Sequence, residues 1–140
     1  MLEMVNTEQI DKILNTLKLL IPGIELIYLF GSMADESNNP DSDIDLAFLS
    51  SEKISNVQRF DVQEKLASIL NKNVDLVDVK TASTVMNFQI VSKGIKLYSK
   101  NEKKKADFEL SAMGQYYDYK ITMQPIFDQI LRRGKVYDNN

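Results

Sequence analysis

Asp43 and Asp45 flank a single apolar residue in the run DIDLAFL at 43–49. Side chains alternate along a strand, so Asp43, Asp45, Ala47 and Leu49 share one face while Ile44, Leu46 and Phe48 share the other. The second set is wholly apolar and predicts the core side. The two carboxylates then stand on one side of a rigid strand, their Cα atoms about 6.5–7 Å apart. Such a pair can converge on a hard cation that favours carboxylate oxygen, and Mg2+ is the expectation. Without a cation the like charges repel and raise one pKa. Gly31-Ser32 lies ten residues upstream, directly behind the apolar run ELIYLF at 25–30. A glycine there permits a sharp turn and close ligand approach, because it has no Cβ. Successive amides in such a turn form a nest for anions, and Ser32 adds a hydroxyl donor. A phosphate-holding turn beside carboxylate-held metal predicts phosphoryl or nucleotidyl transfer, in which two ions activate the attacking oxygen and stabilise the leaving one.

Composition narrows the chemistry further. The 140 residues include no Cys and no His, which excludes thiol nucleophiles, Cys/His zinc sites and Ser-His-Asp triads. Carboxylates, hydroxyls, amines, backbone groups and oxygen-liganded metals remain. With 17 basic and 20 acidic residues the net charge is −3, so no basic excess points to direct nucleic-acid binding. The N-terminal stretch has no basic-then-apolar run, and no signal peptide is expected. No apolar run approaches the ~18 residues of a membrane span. A cytoplasmic chain with one core domain is the expectation.

The elements that must position these residues follow from periodicity. Asn6 and Gln9 have capping-box spacing, and Ile10, Ile13, Leu14, Leu17 and Ile21 recur at helical intervals until Pro22-Gly23. Residues 25–30 read as a buried strand, 31–42 as a polar loop and 43–49 as a second strand. Ser55 and Gln58 cap a helix whose stripe is Val62, Leu66, Ile69 and Leu70, ending near Asn71. A third strand spans 73–79, a helix spans 83–93 with Gly94 as C-cap, and 95–98 reads as an edge strand. KNEKKK at 100–105 reads as a linker or an exposed helix start. Residues 107–133 are helical, with Pro125 expected to kink or interrupt them. The fold class is α/β (α+β), a small mixed sheet backed by helices with a C-terminal helix. Tyr116, Tyr117 and Tyr119 are expected to form a helix face that packs on a partner.

The segment GSMADESNNPDSDIDLAFLS at 31–50 resembles the Gly-Ser-x10-Asp-x-Asp element of the DNA polymerase β-like nucleotidyltransferase superfamily. The short chain points to its minimal nucleotidyltransferase branch, and the resemblance covers about residues 8–98. It implies a nucleotidyltransferase domain over 1–99, with 100–140 as a linker and helical extension that packs on the domain or on a partner. It also implies a third carboxylate on a later strand, which Asp75 in VDLVD at 74–78 matches. Parity alone sets Asp75 with Val77 and Val79, and Asp78 with Val74 and Leu76, and does not choose between them. The family's placement of its acid early in the strand favours Asp75. Minimal nucleotidyltransferases are commonly antitoxins of HEPN-domain ribonuclease toxins. The implied activity is transfer of AMP from ATP to a tyrosine hydroxyl of such a toxin, which silences it. The implied roles place two Mg2+ on Asp43, Asp45 and Asp75, the acceptor proton at Asp75, and the triphosphate on Gly31 and Ser32. The toxin is the implied partner, in a hetero-oligomer or with a homodimer of this chain.

This chain departs from the pattern at one point. Relatives often carry Arg and Gly shortly after Gly-Ser, where Asp35 and Glu36 stand here. The loop 33–42 has three acids (Asp35, Glu36 and Asp41) and no base. That weakens its complementarity to a triphosphate, and a weak or inactive module that neutralises its toxin by occlusion is the alternative. Transfer to a small molecule is the third reading, but the ~40 residues after the sheet leave little room for a substrate-binding domain.

Overall fold

The computed structural model describes residues 6–31 and 43–138, with side chains described through Gly134. In order, the elements are α1 (Thr7–Leu20), β1 (Ile24–Phe30), β2 (Ile44–Ser50), α2 (Asn56–Leu70), β3 (Val74–Asp78), α3 (Thr84–Lys93), β4 (Ile95–Ser99) and α4 (Glu102–Asp138). Each of the first three helices starts where a side chain satisfies an orphan amide. At α1 the Gln9 amide donates to Asn6 Oδ1 at 2.8 Å and the Asn6 amide donates to Gln9 Oε1 at 3.2 Å. Ser55 accepts from the Gln58 amide at 3.1 Å, and Ser83 from the Met86 amide at 3.1 Å.

The four strands form one sheet in the order β3-β2-β1-β4. β1 runs antiparallel to both β2 and β4, while β2 and β3 are parallel and are connected through α2. Helices cover both faces. On one side Ile13 and Leu17 of α1 and Val62, Leu66 and Leu70 of α2 pack against Ile27, Leu29, Ile44, Leu46, Phe48 and Leu76. On the other, Ile90 of α3, with Met86 and Phe108 at the margin, packs against Leu26, Tyr28, Phe30 and Ala47. A strand covered on both faces has no reason to alternate, and all seven residues of β1 are buried. The apolar face expected of Ile44, Leu46 and Phe48 lies wholly in the larger core. The expected mixed sheet backed by helices is therefore the observed fold, and 95–98 is an edge strand as expected.

Three features of the C-terminal region bear on expectation, two of them as departures. First, α4 runs without interruption through Pro125. Proline removes the hydrogen bond to the carbonyl four residues earlier, that of Ile121, and Ile121 is 73% exposed, so the freed carbonyl is on the open side of the helix. Second, of the two readings of KNEKKK the exposed helix start is the observed one, α4 beginning at Glu102. Asn101 Oδ1 accepts from the Lys104 amide at 2.7 Å, and the run's lysines find acids one turn on, Lys103–Asp107 at 2.8 Å and Lys105–Glu109 at 3.2 Å. Those i,i+4 pairs offset the poor match of lysines to a helix N-terminus. Third, Tyr116 packs within the chain, stacked on Phe88 of α3 at 3.8 Å between ring centroids. Tyr117 and Tyr119 remain exposed. Among the described residues no helix is long and apolar enough to cross a membrane.

Candidate active site

Register brings the candidate residues together. Antiparallel pairing sets Phe30 opposite Asp45, and parallel pairing sets Asp45 beside Asp75. Asp45 therefore stands between the end of β1 and the start of β3, with the Asp75 side chain on the same face. β3 is an edge strand, and α2 ties down its outer backbone. The Leu76 amide donates to Gln63 Oε1 at 3.0 Å, and Arg59 Nη1 donates to the Leu76 carbonyl at 2.9 Å. Those two bonds blunt the sheet edge and hold Asp75 in place.

Gly31 follows β1 with φ +72, and a Cβ built on it would run into the Asp45 carboxylate. Positive φ and close approach both demand glycine, so the turn is moulded onto the acid. Asp45 is half-buried, and its pKa is pushed up to about 6, first by burial, then by Asp75 and then by Asp43. The three acids thus share one field. Their placements differ: Asp75 and Asp43 are exposed, and Asp43, just ahead of β2, also lines a second polar depression with Glu64, Ser68 and Lys72. Among the described residues no three acidic side chains are gathered tightly enough to cage a metal ion unaided. The donor set is nonetheless all carboxylate oxygen, which suits Mg2+, and a cation offsets the crowding that lifts Asp45.

Asp45 and Asp75 open into a cleft of about 420 Å3 lined by Phe30, Gly31, Asp45, Asp75, Met86, Gln89 and Lys93. Asp78 lies outside it. It is buried at the far end of β3, where Oδ1 accepts from the Lys80 amide at 3.0 Å and its carbonyl accepts from the Thr81 and Ala82 amides at 3.1 Å each. Asp78 shapes the turn into α3. Ser32 and the acidic positions Asp35, Glu36 and Asp41 lie outside the described residues. Sequence reasoning assigned nothing to Met86, Gln89 and Lys93. Their 86, 89, 93 spacing marks one helix face, but only the tertiary docking of α3 turns that face toward the acids.

A mixed sheet whose central strand ends in an acid pair beside a glycine turn defines a nucleotidyl-transfer scaffold. The chain belongs to the polymerase beta nucleotidyltransferase family, whose profile, described as "Polymerase beta, Nucleotidyltransferase", matches residues 8–103. It is 36% identical over 121 residues to the protein adenylyltransferase MntA of Shewanella oneidensis, covering 86% of each chain. Among solved structures, a chain of a toxin–antitoxin crystal structure with AMP-PNP superposes with a TM-score of 0.81 at 35% identity, covering 87% of this chain and 98% of that one. A chain of the complex between tri-AMPylated Shewanella oneidensis HEPN toxin and MNT antitoxin gives 0.78 at 34% identity, covering 89% and 97%. The fold and family that the Gly-Ser…Asp-x-Asp segment implied are those of these relatives.

Proposed function

We propose that this chain is an antitoxin nucleotidyltransferase that moves AMP from ATP to a tyrosine hydroxyl of a cognate HEPN ribonuclease toxin and so neutralises it. The observation that carries the reading is Asp45 beside Asp75 in register, under a glycine turn at one cleft, in a chain 36% identical to a protein adenylyltransferase. ATP is the substrate, and the cytoplasm, where ATP is supplied, is the site of action. Asp43, Asp45 and Asp75 would hold Mg2+, two ions in the full complement. When bound, the metal supplies charge stabilisation on the phosphates and lowers the pKa of the attacking hydroxyl.

The chain's own residues do the rest. Gly31, with no Cβ, lets the triphosphate approach the backbone, and Ser32 adds a donor. Asp75, exposed at the cleft rim, takes or orients the proton of the acceptor hydroxyl. That oxygen attacks the α-phosphorus, the bond to the β-phosphate oxygen breaks, and pyrophosphate leaves. Residues 1–99 form the nucleotidyltransferase domain, and 100–140 form the extension that docks the toxin. Beyond Tyr117, whose ring meets Phe88 edge-on at 6.3 Å between centroids, the helix α4 carries Ile121, Ile126, Phe127, Ile130 and Leu131, and these with Tyr117 are all at least 41% exposed. Aromatic and aliphatic anchors of this kind belong at interfaces.

The acidic loop 33–42 favours one second reading, a weak or inactive module that silences its toxin by occlusion. Intact-mass spectrometry of the HEPN partner separates the two. Incubation with this chain, ATP and Mg2+ adds AMP increments, and Asp45→Asn abolishes them. A partner that is silenced at unchanged mass supports occlusion.

A further inference from the structure

The cleft is short of positive charge for its proposed cargo. A triphosphate brings several negative charges to a pocket already lined by Asp45 and Asp75, and the loop beyond Gly31 offers three acids and no base. One cation lines the cleft among the described residues. Lys93 closes α3, and among the described residues it makes no ion pair or side-chain hydrogen bond. The fold holds it there. Leu29 pairs antiparallel with Ile95, and Lys93, two residues before Ile95, lines the same cleft as Gly31, two residues after Leu29. Gly94 tightens the fit, since a Cβ there would overlap the Ile90 carbonyl and lie 3.3 Å from the Leu29 carbonyl. The end of α3 is thereby pressed onto β1 next to the turn.

We propose that Lys93 is the triphosphate-binding cation of this chain, set across the cleft from Asp45 and Asp75 to hold the phosphates that leave as pyrophosphate. A lysine in a helix's last turn also suits the helix dipole. That role concerns stability alone, however, and does not require the side chain to line a cleft with two acids and have no partner among the described residues. An ammonium on a flexible stem is a sound point-charge ligand for phosphate. Lys93 acts on the β- and γ-phosphates, while the acids act at the α-phosphorus. This assignment rests on the proposed nucleotidyltransferase site.

Titration calorimetry on the full chain, in Mg2+, with ATP, AMP and inorganic pyrophosphate as separate probes, tests it. Lys93→Ala weakens ATP and pyrophosphate binding about tenfold, the scale of one charge-assisted hydrogen bond, and leaves AMP within about twofold. Lys93→Arg keeps most of the ATP affinity. Lys65→Ala, an exposed lysine of α2 away from the cleft, changes nothing. Lys93→Gln serves as a second neutral variant, and an unchanged ligand-free melting temperature in both shows that folding is intact. ATP affinity unchanged in both neutral variants overturns the proposal, as does equal loss of AMP and ATP. Asp45→Asn with Asp75→Asn separates the levels. If that pair ends AMP transfer while the Lys93 variants bind like the parent, only the lysine assignment fails. If transfer survives the pair, or the parent binds no ATP, the site reading fails and takes the lysine assignment with it.

Discussion

At Gly31 two constraints coincide, a left-handed backbone and an acid within the volume a Cβ would need. Gly31→Ala therefore displaces Asp45 as well as straining the turn. A loss of about 1–3 kcal/mol in stability is expected from chemical denaturation, together with a fall in AMP transfer of more than about tenfold. Asp45 itself sets a pH dependence. Its folded pKa of about 6 lies above the ordinary value of 3.8, so the folded state binds the proton more tightly than the unfolded one. Its charge costs nothing below about pH 4. The cost then grows as pH rises toward 6 and is constant above. Half-exposure screens the effect, leaving about 1–2 kcal/mol. Metal-free protein thus loses stability from pH 4 to 6, and Asp45→Asn removes that contribution while abolishing transfer. Urea melts of parent and variant across the window measure it, and identical slopes would contradict the assignment. Asp75→Asn loses nearly all transfer, by about a hundredfold or more. Asp78→Asn keeps most of it, since an asparagine Oδ1 still accepts from the Lys80 amide. The reverse pattern would mean that the register of β3 misleads about which acid works.

At the scale of elements, α4 joins two different materials. Its first half belongs to the body, where Ala112 is buried, Phe108 lies 6.1 Å from the Tyr28 ring and Tyr116 stacks on Phe88. Its second half is exposed almost throughout as far as Gly134. Thirty-seven residues make a rod about 55 Å long, and an unsupported helix of a few turns is marginal in water. Truncation after Lys120 should spare the body. Toxin affinity falls about tenfold or more while Mg2+–ATP binding is kept, as fluorescence anisotropy with each ligand can read. Unchanged toxin affinity would make the distal helix mere scaffold. A cut before Ala106 removes Phe108 and Ala112 as well, and costs several kcal/mol of fold stability. The same division shows what was legible. Local signals were strong, so the Asn6–Gln9, Ser55 and Ser83 caps and the alternation at 43–49 marked their elements within a residue or two. The continuity of α4 was not legible, because whether a proline interrupts a helix depends on how its surroundings accommodate the lost hydrogen bond and the ring, which the local sequence does not show. Nor was the site role of α3, because the 86, 89, 93 face acquires meaning only from the ladder that places Leu29 against Ile95.

At the scale of the whole molecule, two helical layers lock a four-stranded sheet so that one end of its two central strands presents acids and a glycine turn to one cleft. The approach of Gly31 to Asp45 was readable because its spacing is local, while Ser32 lies outside the described residues. Parity alone left Asp75 and Asp78 open and the resemblance favoured Asp75; what sets Asp75 beside Asp45 is the parallel register of β2 and β3, between segments about thirty residues apart in sequence. What the assembly does with that cleft is the central claim. Two parallel reactions with Mg2+ and the cognate HEPN partner decide it, one with ATP labelled at the α-phosphate and one with the label at the γ-phosphate. Attack at the α-phosphorus leaves AMP on the tyrosine and releases the outer two phosphates together, so only the α-label appears on the toxin. A toxin carrying γ-label, or one silenced with no label from either nucleotide, would contradict AMP transfer.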